Sequence, residues 1–182
     1  MRFGYLMFIG LMFAGVSAQA DVGSCLKNLP DTIKTDSQEE AFIFKKGFRP
    51  DSYQIVAKSD KKQNYYQTYH NEVCFAKVAS LATDMGRLTN TKIKRYAKEE
   101  SSFQITGQDR TEIEKERFFY TMGVEQDQTN VLMVTGFNNR ILQVRMTCQA
   151  MTSLEKKENR RMTVHWAKEL AKNLLNVVKN CK

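Results

Sequence analysis

The fold is decided by residues 131–148, which read VLMVTGFNNRILQVRMTC. The first part, Val131 to Thr135, is apolar and rich in β-branched residues, and the last part, Ile141 to Cys148, alternates apolar and polar residues as a half-buried strand does. Asn138 and Asn139 lie between them, and asparagine tolerates positive φ better than most residues do. The stretch therefore predicts two antiparallel strands joined by a tight turn.

Strand signals continue on the N-terminal side of this hairpin. Arg117 to Val124 is rich in aromatic residues, and Phe103-Gln104-Ile105 alternates in the same way. Earlier in the chain, Ala41 to Phe44 and Tyr53 to Ala57 are typical of short strands separated by a turn. We expect an antiparallel sheet with a meander in its second half.

The chain closes with one long amphipathic helix, predicted from about Ser153 to Asn180. Its apolar residues recur at strict four-residue spacing: Met162, Trp166, Leu170, Leu174 and Val178. The helix should lie across the sheet with Trp166 as its anchor. Strands followed by a terminal helix indicate an α+β domain.

A second helix is predicted near residues 72–85. Asn71 is suited to cap its start, and Gly86 is suited to end it in a left-handed conformation. A strand from Val73 to Val78 is the alternative, because the segment also contains residues that favour strands. The helical spacing is carried by four apolar residues: Cys74, Val78, Leu81 and Met85.

Residues 1–20 have the pattern of a removable secretory signal. Arg2 precedes an apolar run of roughly 14 residues, which is shorter than the roughly 20 that a membrane-spanning helix needs. Ala18-Gln19-Ala20 then supplies the small residues that a signal peptidase accepts. We expect cleavage between Ala20 and Asp21, a single α+β domain over residues 21–182, and a periplasmic or secreted protein; Asp21 argues against the alternative of lipid attachment at Cys25.

Four cysteines in an exported chain predict two disulfides. A helix from Ser153 to Asn180 is about 40 Å long at about 1.5 Å per residue, whereas a disulfide holds its two Cα atoms about 6 Å apart. The helix therefore excludes a bond between Cys148 and Cys181. Of the two remaining pairings, we favour Cys25–Cys181 with Cys74–Cys148, because the termini of single domains often lie close together.

The charge balance is basic, with 28 Lys and Arg against 20 Asp and Glu. Losing residues 1–20 would remove one arginine, which leaves 27 against 20 and a net charge of +7. Export makes an anionic envelope polymer or lipid head groups a better counter-surface than nucleic acid, so no nucleic acid is expected and peripheral membrane contact is allowed. The simpler interpretation is solubility, because the basic clusters are scattered along the chain.

Two sets of residues in the sequence are candidates for catalytic groups. His70 and Cys74 would lie one turn apart on a helix, where the histidine could activate the thiol, but a disulfide at Cys74 removes the nucleophile. Glu112, Glu114 and Glu116 would share one face of an extended segment, at a spacing that suits sugar hydrolysis or a divalent cation. Interleaved basic residues indicate a solvated edge instead. We predict no catalytic residue, no metal and no cofactor.

The remaining site hypothesis is a patch of aromatic and basic residues. Tyrosines next to cations grip glycans and protein partners well, because they bury a large rigid surface and keep a hydroxyl. A sheet edge that packs its own tyrosines is the alternative. The predicted patch consists of Lys61, Lys62, Tyr65, Tyr66, Tyr69 and His70. The expected function is non-catalytic binding of an exported protein or an anionic envelope polymer; a periplasmic hydrolase, or an inhibitor or immunity-like protein that blocks an enzyme, are the alternatives.

Overall fold

The computed structural model describes residues 25–35, 42–47, 64–150 and 156–181. The predicted signal at residues 1–20, the strand predicted at Tyr53 to Ala57, and Lys61 and Lys62 lie outside the described residues. The elements in chain order are β1 (Thr32–Thr35), β2 (Phe42–Lys46), β3 (Tyr65–His70), β4 (Cys74–Ala82), α1 (Asn90–Glu99), β5 (Gly107–Ile113), β6 (Glu116–Glu125), β7 (Gln128–Phe137), β8 (Arg140–Gln149) and α2 (Lys156–Lys179).

Within the described residues the strands form one eight-stranded sheet in the order β1-β2-β3-β4-β8-β7-β6-β5. Every neighbouring pair is antiparallel. Strands β5 to β8 form a meander, and β8 returns to pair with β4 at the centre of the sheet. The prediction of an α+β fold, with an antiparallel meander and a long C-terminal helix, is confirmed.

Two of the three turns in the meander use a pair of left-handed residues. Asn138 and Asn139, between β7 and β8, have φ of 47° and 57°. Glu114 and Lys115, between β5 and β6, have φ of 48° and 68°. Two successive residues of positive φ give the turn whose twist matches that of the paired strands, so the predicted asparagine turn is confirmed.

The helix predicted near residues 72–85 is wrong, because this segment is strand β4. Cys74, Ala76 and Val78 are almost completely buried on one face, which is a period of two and not of 3.6. Hydrogen bonds to β3 on one side and β8 on the other hold the segment extended. The alternative of a strand over Val73 to Val78 is the correct interpretation.

The residues expected to cap that helix have related roles in the structure. The Asn71 side-chain oxygen accepts hydrogen bonds from the backbone N–H groups of Val73 and Cys74, at 3.0 and 2.6 Å, and so closes the turn from β3 into β4. Gly86 has a φ of 63° in the loop that follows β4. The second helix is α1, where the Thr89 hydroxyl caps the N-terminus by accepting from the Lys92 N–H.

Phe103, Gln104 and Ile105 do not form the predicted strand, since β5 begins at Gly107. The backbone N–H of Gln104 donates to the Glu125 carboxylate. Phe103 packs against the apolar cluster beneath α1. These three residues therefore belong to a segment that connects α1 to β5, and the Phe103 ring anchors this segment.

The two helices cover opposite faces of the sheet. Trp166 of α2 is 1% exposed and meets the Phe44 ring edge to face, with centroids 6.0 Å apart. Burial of each large apolar side chain in this layer contributes about 1.5–3 kcal/mol, and Trp166 is the anchor that the four-residue spacing predicts. On the other face Ile93 and Ala97 of α1 pack over β7 and β8.

Both disulfides have the favoured pairing, and the pairing that the helix length excludes is not formed. Cys74 and Cys148 are register partners on β4 and β8, with Cα atoms 4.1 Å apart. Cys25 and Cys181 join the two ends of the described chain, with Cα atoms 5.7 Å apart. The second bond fixes the end of α2 to the turn that begins at Cys25.

Candidate functional site

The three tyrosines of the predicted patch do not share a surface. All lie on β3, where alternation directs Tyr65 and Tyr69 to the α2 face and Tyr66 to the α1 face. Tyr69 is fully buried, and its hydroxyl donates to the Pro30 carbonyl at 2.7 Å. Burial, together with the charge of Asp31, raises the pKa of Tyr69 above its ordinary value. Tyr69 belongs to the core and offers nothing for a partner to reach.

The other two tyrosines are half-buried, and each lies beneath a cation of the chain itself. The Arg140 guanidinium lies 5.4 Å from the centre of the Tyr65 ring. The Lys77 ammonium lies 3.9 Å from the centre of the Tyr66 ring. Ring faces attract cations. These two contacts therefore cover part of the aromatic surface that the predicted patch would offer to a partner.

Lys77 is part of a cationic pair on the α1 face, opposite Arg145 of β8. Burial and the Arg145 charge lower the pKa of Lys77. Arg145 donates to the Ser102 hydroxyl and to the Glu100 carbonyl, both at 2.8 Å. The guanidinium therefore ties the end of α1 to the sheet, which is a structural role.

The candidate catalytic groups are not brought together. His70 and Cys74 point to opposite faces of the sheet, and the Cys74 sulfur is in a disulfide. Glu112 lies on β5 and Glu114 in the turn, while Glu116 forms an ion pair with Lys179 at 3.5 Å. Within the described ranges no three potential metal ligands cluster.

A groove between α2 and β6, here called the α2 groove, is lined by three cationic side chains and a histidine. It encloses about 420 Å³. Met122 and Tyr120 of β6 form its half-buried floor, and burial with the nearby Asp109 charge raises the pKa of Tyr120. Its principal lining residues are Tyr120, Met122, Arg160, Arg161, His165 and Lys168.

Helical periodicity places these cations at the mouth of the groove. Arg160, Val164 and Lys168 recur at intervals of four and so lie on one side of α2. That side flanks the buried stripe that contains Trp166 and Leu170. The helix is held against the sheet by its apolar stripe, and the basic side chains emerge along its border, over Tyr120.

The electrostatics of the α2 groove suit an anion. Arg160 Nε and His165 Nε2 are buried atoms without a hydrogen-bond partner in the described part of the chain. A guanidinium N–H can only donate, and leaving a buried donor unsatisfied costs about 1–3 kcal/mol. The Arg161 guanidinium pairs with the Glu158 carboxylate at 3.2 Å. In contrast, no carboxylate oxygen of the described residues lies within 4 Å of the charged nitrogens of Arg160 or Lys168. An anionic group in the groove would accept a hydrogen bond from the Arg160 guanidinium and offset the charges of Arg160 and Lys168.

A second basic groove lies on the opposite face, between α1 and the strands β5 and β6. This α1 groove encloses about 280 Å³. Its polar lining residues include Lys94, Lys98, Gln108, Asp109, Arg110 and Tyr120. It contains three cations and one carboxylate, so its balance is also positive.

Sequence reasoning missed both grooves. Arg160, Val164 and Lys168 border the Trp166 stripe in the sequence, where scattered basic residues of this kind indicate only a soluble surface. The pattern alone does not show that strand β6 lies beneath these residues. Tyr120 of β6 is about 40 residues away from Arg160 in the sequence, so no local signal reports their contact. His165 is half-buried at the border of the stripe.

Comparison with known proteins assigns no function to this architecture. No protein family matches the chain, and no curated protein is significantly similar to it in sequence. Among the described helices, none is long and apolar enough to cross a membrane. The site must therefore be interpreted from its own chemistry.

Proposed function

We propose that this chain is an exported, non-catalytic binding protein that holds an anionic envelope component in the α2 groove. The observation that carries the proposal is the buried Arg160 Nε–H donor, which has no partner among the described residues and lies in the wall of a basic groove beside the equally unpartnered His165 Nε2. The two disulfides support export, because such bonds persist mainly in oxidising compartments.

The chemistry favours phosphate or similar oxyanions as the bound group. Guanidinium N–H groups form charge-assisted hydrogen bonds to such oxygens, and these are about twice as strong as neutral ones. Lys168 adds a flexible point charge, and the Tyr120 ring provides an apolar wall beside it. The separation of His70, Cys74 and the glutamates gives the alternative of a periplasmic hydrolase no support.

The direct test is calorimetric titration of the oxidised protein from residue 21 with inorganic tripolyphosphate. Neutralising the groove with Arg160→Gln and Lys168→Gln should weaken binding about tenfold, which corresponds to about 1.4 kcal/mol. The matched control is Lys34→Gln with Lys45→Gln, which removes two exposed charges at the opposite edge of the sheet.

The control variant should bind within twofold of the unaltered protein. Equal losses in the two variants would show that net charge alone drives binding, and no binding by the unaltered protein would reject the proposal. Near-ultraviolet circular dichroism of each variant checks that Trp166 keeps its packed environment.

A further inference from the structure

We infer that the ligand is a flexible linear polyanion that passes around the β5–β6 edge of the sheet and occupies both basic grooves. The inference rests on the proposed function, because it specifies the shape of the ligand that the α2 groove binds. It is carried by the placement of two positive cavities on opposite faces of strand β6.

The two grooves are close neighbours, because Tyr120 of β6 lines both. Alternation along β6 directs Tyr120 and Met122 towards α2, and Phe119 and Thr121 towards α1. Each groove is therefore reached from a different side of the sheet. A ligand that occupies both grooves must pass around the edge of the sheet, and only β5 lies between β6 and that edge.

The edge between the grooves is accessible in the described part of the chain. Strand β5 is the last strand of the sheet order, so no described strand pairs with its outer side. Gln108, Asp109 and Arg110 of this strand are exposed. Charged residues on an exposed edge also discourage pairing with another sheet, and this edge leaves the path between the grooves open.

The α1 groove supplies cations that are not already used in ion pairs. Lys94 and Lys98 lie one turn apart on α1, and both are exposed. Their neighbour Arg95 pairs with Glu99 at 3.7 Å, whereas no ion pair within the described ranges involves Lys94 or Lys98. Arg110 of β5 approaches the same cavity. Asp109 is the one opposing carboxylate in the lining.

The shape of this arrangement selects a linear polymer over the other anionic ligands. A compact anion fills one groove and leaves the second unused. A membrane surface is flat on the scale of this domain, so it can contact the cations on one face of the sheet only. A flexible chain with repeated anionic groups contacts both faces at once, and its second contact benefits from the high effective concentration that the first creates.

The test compares inorganic tripolyphosphate with long-chain polyphosphate on the same protein. Lys94→Gln with Lys98→Gln should weaken binding of the long chain about tenfold or more, because one of its two contacts is lost. It should leave tripolyphosphate binding at the α2 groove within twofold. The slope of log affinity against log salt for the long chain should fall by about 1.4, or about 0.7 for each phosphate contact removed.

The matched control is again Lys34→Gln with Lys45→Gln, which should change neither ligand by more than twofold. Equal loss of long-chain binding in both double variants, or a long chain bound no more tightly than tripolyphosphate, would overturn the inference but leave the proposal for the α2 groove intact.

Vesicles of anionic phospholipid test a membrane surface as the alternative ligand. If the vesicles bind as tightly as the long chain, and their binding is insensitive to Lys94→Gln with Lys98→Gln, the partner is a membrane surface and the inference is overturned. If the unaltered protein does not bind tripolyphosphate, the proposed function itself is rejected.

Discussion

Tyr69 gives the sharpest test of how the structure divides the predicted tyrosine patch into core and surface. The side chain is fully buried, contacts the core beneath α2, and donates to Pro30 at 2.7 Å. Truncating a buried aromatic residue to alanine costs about 3–5 kcal/mol. For a domain of this size each kcal/mol lowers the melting temperature by about 2–4 °C, so Tyr69→Ala should melt on the order of 10 °C lower.

Two further variants separate packing from hydrogen bonding. Tyr69→Phe keeps the ring and loses one hydrogen bond, which should cost about 1 kcal/mol. Tyr66→Ala removes a half-buried ring that a lysine covers, and a contact of that kind contributes about 0.5–1 kcal/mol at partly exposed sites. Urea unfolding of the oxidised protein, followed by circular dichroism, gives all three values. Equal destabilisation by Tyr69→Ala and Tyr66→Ala would refute the assignment of Tyr69 to the core.

Two more predictions concern the disulfides and alkaline stability. The Cys25–Cys181 bond closes a separation of 156 residues, so Cys25→Ser with Cys181→Ser should lower the unfolding free energy by about 5 kcal/mol from loop-closure entropy; a loss below about 1 kcal/mol in urea unfolding would show that the bond constrains little. Burial raises the pKa of Tyr96 to about 12 from the ordinary 10.0. Because the unfolded tyrosine loses its proton first, the stability that Tyr96 contributes is complete below pH 10 and is lost as pH rises through about 12. Tyr96→Phe should flatten that decline in urea unfolding series from pH 8 to 12, and an unchanged decline would contradict the assignment.

The parts of the fold that could be predicted are those whose signals are local and repeated. Five apolar residues at four-residue spacing define α2, and two asparagines between an apolar run and an alternating segment define the β7–β8 hairpin. The length of α2 excluded the pairing of Cys148 with Cys181, and the closeness of chain termini in single domains favoured the observed pairing over the other one. The helix, the hairpin and the excluded pairing each need only the pattern of one segment.

Strand β4 shows where periodicity becomes ambiguous. Cys74, Val78 and Leu81 fit a helix by spacing, but Leu81 is on the opposite face of the strand from the other two. Ala76 and Ser80, which are buried, are small enough to look neutral in the pattern. The pairing of β4 with β8, about 70 residues away, decides the conformation, and no local signal reports that pairing.

The candidate site could not be predicted, for a related reason. The Arg160 to Lys168 side of α2 is visible as a basic border, yet a groove exists only because β6 lies beneath it. Helix α1 is short and rich in lysine, with Ile93 and Ala97 as its buried residues, so its sequence resembles a solvated charge cluster. Both grooves are products of packing between distant segments.

The central claim is that the α2 groove binds an anion through the Arg160 guanidinium, whose buried Nε–H has no partner among the described residues. The most direct measurement is a nitrogen–proton correlation spectrum of the arginine side chains during titration with tripolyphosphate. The Nε–H signal of Arg160 should shift as the anion binds, and Arg160→Lys should remove that signal and weaken binding. Saturable binding with no change at Arg160, and with shifts only at residues of β1 and β2, would contradict the account.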